Sequence, residues 1–178
     1  MAGYQASLSA AMELLSLDKK VIFLGQAVAV AGTAMQTTLE DISKNRLYEL
    51  PVEEEFQMGL AVGMAMAGFI PVSVFPRWNF LLLATNQIVN HLDKLSQLTR
   101  STVPPKVIIR TGIGSKFPLH PGPQHTGDFT EPFKLMCSNI NVVRLDNVDM
   151  IIPEYTKALE RSDGVSTILV EWGDKYNS

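Results

Sequence analysis

The sequence has 178 residues, 46% of them hydrophobic, and a formal net charge of −3 at pH 7. This length fits one domain with a sizeable core, and the slight negative charge gives no reason to expect nucleic acid as a partner. No apolar stretch reaches the roughly 18 residues of a membrane span, so we interpret the apolar run 21–31 as containing a buried strand and expect no membrane association.

Cys137 is the single cysteine of the chain, which excludes an internal disulfide. We expect a buried, inert thiol and a reducing, cytoplasmic setting. The sequence contains no His-Glu-x-x-His motif, so it predicts no metal site of its own.

The first fifty residues alternate between helical and extended patterns. One helical stripe is formed by Leu8, Ala11, Met12 and Leu15, and the helix that carries it is expected to end at residues 18–20. A short buried strand is predicted over residues 21–24, a short helix over 38–44 and a strand over 46–50.

Residues 51–68 predict the helix around which the chain is organised. Gly59, Gly63 and Ala67 recur every four positions, so a helix carries them as one ridge without large side chains. Glycine costs about 1 kcal/mol relative to alanine inside a helix, and this spacing therefore indicates close approach by another backbone. The carboxylates at 53–55 fall at the start of the helix, where the helix dipole favours negative charge.

The second half continues the alternation. Strands are predicted over 71–75, 106–110, 141–145 and 167–171, and helices over 79–98 and 148–161, the latter interrupted early by Pro153. Residues 102–105 are expected to be a loop, and 111–129, rich in Gly, Pro and His without periodicity, a functional or mobile one. Together these elements predict a single-domain, three-layer α/β/α fold with a mostly parallel sheet.

The predicted helix 79–98 places six residues on one face: Phe80, Ala84, Gln87, Ile88, His91 and Leu95. His91 is interpreted as a helix-surface or interface residue. Arg77 and Trp78, just before this helix, are bulky residues that we interpret as shaping a substrate entrance.

Two stretches of the sequence resemble motifs of a known protein family. Glu54, four residues and then Gly-apolar-x-x-Gly-apolar-x-x-Ala resembles the pyrimidine-binding domain of thiamine-diphosphate-dependent enzymes, including the central domain of transketolases. The stretch GFIPVSVFPRWNF is similar to the β subunits of 2-oxo acid dehydrogenase decarboxylase components. The resemblance runs from about residue 21 to about 172, and it is tight over 51–95 and around Gln124-His125.

The resemblance implies thiamine diphosphate as cofactor and gives four residues a role in binding it. Glu54 hydrogen-bonds the aminopyrimidine ring and activates the cofactor, Phe80 supports the ring, and the turn at Val52 contacts it through backbone atoms. Gln26 follows the first strand, where open α/β sheets place ligands, and it replaces an acidic residue usual in the family. The alternative for Phe80 is an ordinary core residue.

The segment Gly-Pro-Gln-His that ends at His125 resembles both the Gly-Pro-x-His of transketolases and the Gln-His of the dehydrogenase β subunits. In both groups the histidine faces a small keto substrate and assists proton transfer or stabilises a developing oxyanion. His120 either helps to bind a hydroxyl, phosphate or carboxylate of the substrate, or is a loop residue without a role.

The family's Gly-Asp-Gly motif, which holds Mg²⁺ and the diphosphate together with a later Asn, is absent from the sequence. We therefore interpret residues 1–178 as a pyrimidine-binding domain without diphosphate-binding and C-terminal domains, either as one subunit of a split enzyme or as a piece of a longer one. A partner chain is expected to hold Mg²⁺ and the diphosphate, in a heterotetramer or alongside a self-dimer. The ridge from Gly59 to Ala67 is the expected contact surface.

Three functions remain as hypotheses. The first is the pyrimidine-binding subunit of an enzyme that transfers ketol groups or decarboxylates and dehydrogenates 2-oxo acids. The second is a non-catalytic assembly or regulatory subunit that retains the fold. The third, an unrelated nucleotide-binding α/β protein, is disfavoured because neither Gly-x-Gly-x-x-Gly nor a phosphate loop follows a predicted strand.

Overall fold

The computed structural model describes residues 3–99, 105–117 and 119–176. Its strands are β1 (Val21–Gly25), β2 (Leu47–Glu49), β3 (Ile70–Val74), β4 (Ile108–Ile113), β5 (Ile140–Arg144) and β6 (Ser166–Trp172). These six form one sheet in the order β2-β1-β3-β4-β6-β5, and every neighbouring pair is parallel.

The α-helices are α1 (Tyr4–Ser16), α2 (Ala34–Thr37), α3 (Glu54–Met66), α4 (Trp78–Leu81), α5 (Leu95–Leu98), α6 (Thr130–Met136) and α7 (Val148–Glu160). Short 3₁₀ turns occupy Lys44–Arg46, Leu82–Ala84, Pro123–His125 and Gly173–Lys175, and Gln87–Leu92 form a π-helical turn.

Two hydrophobic clusters cover the two faces of the sheet. On one face α1 and α7 pack against alternate strand residues such as Phe23 and Leu169. On the other face α3, α6 and the segment from α4 to α5 pack against the intervening residues, among them Leu24 and Ile168. This alternation makes three layers, because strand side chains point to opposite faces in turn. The predicted α/β/α fold is confirmed, and the sheet is parallel throughout.

The short helix predicted over 38–44 is wrong. The helix α2 lies before it, because the Thr33 hydroxyl caps its N-terminus by accepting a hydrogen bond from the Gln36 N–H at 3.2 Å. The chain then turns, and Lys44–Arg46 form a single 3₁₀ turn before β2. The cap therefore starts the helix earlier than the hydrophobic pattern indicated.

The long helix predicted over 79–98 is broken into α4, a 3₁₀ turn, the π-helical turn and α5. The π-type bond runs from the Asp93 N–H to the Ile88 carbonyl, at 2.8 Å. Buried Asp93 then accepts a hydrogen bond from the Asn139 N–H at 2.6 Å, which ties this turn to the segment before β5. His91 is exposed, as expected of a surface residue.

Pro153 does not interrupt α7, contrary to the sequence prediction. A proline removes one backbone hydrogen bond inside a helix. Here the buried stripe of Ile151, Tyr155 and Ala158 keeps the helix packed on the sheet. The predicted loop 102–105 falls largely outside the described residues, and β4 extends through Ile113 into the segment that was predicted to be a loop.

Within the described ranges, no helix combines the length and the hydropathy that crossing a bilayer requires.

Candidate active site

A cavity of about 560 Å³ opens at the carboxyl ends of the parallel strands. Its walls are the segments that follow five of the strands, represented by Gln26 after β1, Leu50 after β2, Pro76 after β3, Gly114 after β4 and Gly173 after β6. In the sheet, β2 pairs with one side of β1 and β3 pairs with the other side. The direction in which successive strands are added to the sheet therefore reverses at β1. Open α/β sheets place ligands at such a reversal.

Three of the predicted cofactor-binding residues line this cavity: Gln26, Val52 and Phe80. Gln26 is 9% exposed, and its Nε2 donates no hydrogen bond to any described residue. Val52 is 76% exposed. The cavity thus combines an apolar wall with an amide whose donor is unused.

Glu54 is the first residue of α3 and follows the cavity wall at Val52 by two positions. Its side chain does not line the cavity, but it is buried, at 4% exposure, and Oε1 accepts no hydrogen bond within the described part of the chain. Its two neighbours behave differently. Glu53 is exposed, and exposed Glu55 accepts a hydrogen bond from Asn86 Nδ2 at 2.7 Å, which lowers the Glu55 pKa.

His125 lies in a 3₁₀ turn beside Phe80, with the two ring centroids 5.9 Å apart. Its Nδ1 is buried and finds no hydrogen-bond partner among the described residues. A Cβ on Gly114 would lie 1.9 Å from the His125 carbonyl oxygen, so the absence of a side chain there lets the histidine turn approach the cavity wall. His120 is exposed, does not line the cavity and accepts a hydrogen bond from the Gly122 N–H.

The carboxylate of Glu49, at the end of β2, holds the loop after β1, and sequence reasoning missed it. Its two oxygens accept hydrogen bonds from four consecutive backbone N–H groups, at 2.8 Å from Ala27, 2.8 Å from Val28, 2.7 Å from Ala29 and 3.2 Å from Val30. Desolvation opposes ionisation, but these bonds outweigh it and lower the pKa of Glu49. Ala27 takes the left-handed conformation, at φ 56°, within this loop.

A buried ion pair also underlies the cavity. Arg110 on β4 and Glu171 on β6 are fully buried, with Nε of the arginine 2.6 Å from Oε1 of the glutamate. Tyr155 and Tyr176 donate their hydroxyls to the same carboxylate, and Tyr176 lines the cavity. Burial alone would lower the arginine pKa, but the charge of Glu171 raises it. Oppositely charged residues inside two apolar strand sequences were the signal that sequence reasoning overlooked.

Among the described residues, Gln26 in the wall of this apolar cavity has a polar atom without a partner, and so do Glu54, two positions after Val52, and His125, beside Phe80. These atoms suit a flat heteroaromatic ring that can donate and accept hydrogen bonds. No group of three or more His, Cys, Asp or Glu residues that could hold a metal ion occurs among residues 3–99, 105–117 and 119–176.

Comparison with known proteins agrees with the resemblance read from the sequence. Residues 1–175 match the family model described as transketolase, pyrimidine binding domain. The chain is 30% identical over 146 residues to the 3-methyl-2-oxobutanoate dehydrogenase subunit beta of Mycobacterium tuberculosis, covering 78% of this chain and 40% of that protein. It is 32% identical over 120 residues to the mitochondrial pyruvate dehydrogenase E1 component subunit beta of Chaetomium thermophilum, covering 66% of this chain and 31% of that one.

Among solved structures, the chain resembles one described as a split gene transketolase, inactive beta4 tetramer. The TM-score is 0.66 at 17% identity, over 96% of this chain and 50% of the other, which shows a shared fold. The chain thus spans half or less of the length of each of these relatives. Because the family model covers the sequence almost from end to end, the chain belongs to the transketolase pyrimidine-binding domain family.

Proposed function

We propose that this chain is the pyrimidine-binding part of a thiamine-diphosphate-dependent enzyme that acts on small keto substrates. The observation that carries the proposal is the buried Glu54 carboxylate, which has an oxygen without a described partner and stands two positions after Val52 of the cavity wall. A buried carboxylate without a partner is costly, and such groups persist where a ligand completes them.

Glu54 would hydrogen-bond a ring nitrogen of the aminopyrimidine through its free Oε1. Phe80 would pack against the ring, and the Gln26 amide, whose Nε2 is free, would offer a donor at the cavity wall. When bound, thiamine diphosphate supplies a nucleophilic carbon that attacks the carbonyl carbon of a keto compound. The residues of this chain orient the ring and keep water from the Glu54 carboxylate.

His125 would act on the substrate side. Its ring lies beside Phe80, and Nδ1 is buried without a partner, so the imidazole can hold or deliver a proton at the substrate oxygen. His120 lies outside the cavity wall, so it would bind the substrate only if its loop moved toward the cavity.

A partner chain completes the site in this proposal. It would supply the Mg²⁺ and diphosphate ligands, because the sequence lacks Gly-Asp-Gly, and a heterotetramer is the arrangement we propose. Two features of α3 support an assembly surface: a Cβ on Gly63 would meet no atom within 4 Å, and Phe56 and Met66 are 53% and 60% exposed. The proposal also includes a reducing, cytoplasmic setting, which suits the free buried thiol of Cys137.

The test begins with purification of the tagged protein from its own cells under gentle conditions, followed by mass spectrometry of co-purifying chains. We expect a partner that carries Gly-Asp-Gly and a downstream Asn. The complex should bind thiamine diphosphate with Mg²⁺, as measured by calorimetry, and should turn over a 2-oxo acid or a ketose. A complex that binds no thiamine diphosphate would refute the proposal.

Glu54→Gln and Glu55→Gln form a matched pair, because the two carboxylates are adjacent but differ in burial. We expect Glu54→Gln to reduce kcat by roughly 10²- to 10⁴-fold and Glu55→Gln to leave it nearly unchanged. Full activity of Glu54→Gln in a complex that retains the cofactor would favour the alternative, a non-catalytic assembly or regulatory subunit.

A further inference from the structure

Arg77 lines the cavity, and its guanidinium has no partner among the described residues. The residue follows β3 and directly precedes α4, and it is half-buried. No described residue accepts a hydrogen bond from its side chain or forms an ion pair with it. A partly desolvated cation without a counter-ion is unfavourable, so this position favours an anion from outside the chain.

The charges around the cavity reinforce this preference. Among the described residues that line it, two are charged, Glu49 and Arg77. The Glu49 carboxylate is engaged by the four backbone N–H groups of residues 27–30. No ion pair joins Arg77 to Glu49, so the guanidinium of Arg77 lacks a counter-ion among the described residues of the cavity wall.

Arg77 lies near the turn that carries His125. A Cβ built on Gly114 would lie 3.4 Å from Arg77 Nε and 1.9 Å from the carbonyl oxygen of His125. Arg77 and the turn that carries His125 therefore meet at the same glycine of the cavity wall. A planar guanidinium binds carboxylate and phosphate groups through paired N–H donors, which ammonium groups cannot match.

We propose that Arg77 is a specificity-determining residue that binds the anionic group of the substrate, either the carboxylate of a 2-oxo acid or the phosphate of a phosphorylated ketose. The inference rests on the proposed function in taking the His125 side of the cavity as the substrate side. It assigns to this chain, rather than to a partner, the selection of charged over neutral keto compounds.

Binding is tested first, on the native complex with only this chain ¹⁵N-labelled. The Nε–H signal of Arg77, assigned by its loss in Arg77→Gln, is followed during titration with pyruvate, methyl pyruvate, xylulose 5-phosphate and xylulose. A shift with pyruvate but not with its ester identifies a carboxylate ligand. A shift with the phosphorylated but not the free sugar identifies a phosphate ligand. A signal that none of the four moves overturns the proposal.

Kinetics of the same complex provide the second test. Arg77→Gln should raise KM for the anionic substrate by roughly 10- to 100-fold. KM for free xylulose should stay unchanged, and so should the inhibition constant of methyl pyruvate, which has no free carboxylate to lose as CO₂. Arg77→Lys keeps the charge but loses the planar donors, so its KM for the anionic substrate should lie between those of wild type and Arg77→Gln. Arg161→Gln is the matched control, because Arg161 pairs with Asp163 at the end of α7, outside the cavity. If Arg77→Gln weakened the binding of charged and neutral compounds equally, the result would contradict the proposal.

Failure of the two proposals can be told apart. Thiamine diphosphate affinity, measured by calorimetry, should be the same for wild type and Arg77→Gln. If wild type binds the cofactor while Arg77 shows no anion selectivity, the inference on Arg77 fails and the proposed function stands. If wild type does not bind the cofactor, the proposed function fails, and the titration still decides whether Arg77 binds anions.

Discussion

The rings of Phe80 and His125 lie 5.9 Å apart, with 41° between their planes, although Phe80 belongs to α4 after β3 and His125 to a turn after β4. The sheet order explains the contact, because β3 and β4 are parallel neighbours whose carboxyl ends meet at one edge. A residue proposed to support the cofactor and one proposed to act on the substrate thereby become adjacent. The Gly114 backbone beside His125 makes this relationship testable.

Gly114→Ala should displace the His125 turn, because the new Cβ would lie 1.9 Å from the His125 carbonyl oxygen. We expect kcat of the complex to fall by about 10²-fold, a typical effect of misplacing a catalytic group by an ångström. Circular dichroism should show an intact fold, and thiamine diphosphate affinity should change little. An unchanged kcat would contradict the placement of His125 at the reaction centre.

Gly63→Ala separates the stability of the chain from its assembly. In the isolated chain the new Cβ meets no atom within 4 Å, so urea denaturation should show a free energy of unfolding higher by up to about 1 kcal/mol. Association with the partner should weaken by roughly tenfold or more, as measured by sedimentation, if α3 packs closely there. Unaltered association would exclude this ridge as the assembly surface.

Glu49→Gln should loosen the loop after β1 and make stability less dependent on pH. The folded pKa of Glu49 lies below its ordinary value of 4.5, so its contribution is complete above that value and is lost as pH falls through the folded pKa. We expect the variant to be about 1 kcal/mol less stable at pH 7, a modest loss because the group is solvent-exposed. The difference in the free energy of unfolding between wild type and variant should disappear as the pH falls below 4.5, which denaturation at several pH values would measure.

Arg110 and Glu171 should show strong energetic coupling. Removing either partner leaves a buried charge uncompensated, and each of Arg110→Met and Glu171→Met should cost about 3–5 kcal/mol. The double variant should be less destabilised than the sum of the singles, as measured in a denaturant double-mutant cycle. The exposed pair Lys134–Glu131 is the control, and Lys134→Met should change stability by less than about 0.5 kcal/mol. Additive losses at the buried pair would refute the coupling.

Cys137 should resist alkylation in the native protein. Burial raises the pKa of its thiol from 9.0 to about 11, with the nearby Asp93 charge adding to the effect. Reaction with iodoacetamide at pH 8 should be about 100-fold slower than in the denatured chain, since the thiolate is the reactive form. Mass spectrometry of timed samples measures both rates, and equal rates would show that the thiol is accessible.

Much of the fold was predictable because the spacing of apolar residues along a strand or helix indicates which of its faces is buried. The alternation of apolar strands and amphipathic helices led to the three-layer sheet. Of the predicted ridge, Gly59 and Gly63 lie within α3, whereas Ala67 is the C-cap that follows it. Prediction failed where a side chain or an irregular turn decided the structure. The cap at Thr33 moved α2, and the π-type turn at Asp93 broke a helix whose apolar spacing looked continuous.

The candidate site likewise contains residues that the sequence predicted and contacts that it could not predict. Motif positions led to Val52, Phe80 and Gln26, which line the cavity, and to Glu54, which is buried two positions after Val52. Their roles stay predictions. The Glu49 contacts and the ion pair of Arg110 could not be derived from spacing, because each depends on which strands become neighbours. Parallel pairing joins residues far apart in sequence, and no local pattern encodes it.

The place of β6 in the sheet has a consequence for folding. It lies between β4 and β5, and within the described residues β5 pairs with no other strand. Until Ser166–Trp172 leave the ribosome, β5 has no strand to pair with and β4 has an open edge. A nascent chain that has not yet released β6 therefore exposes strand edges that are prone to aggregation, and the sheet is completed only when β6 pairs with both neighbours.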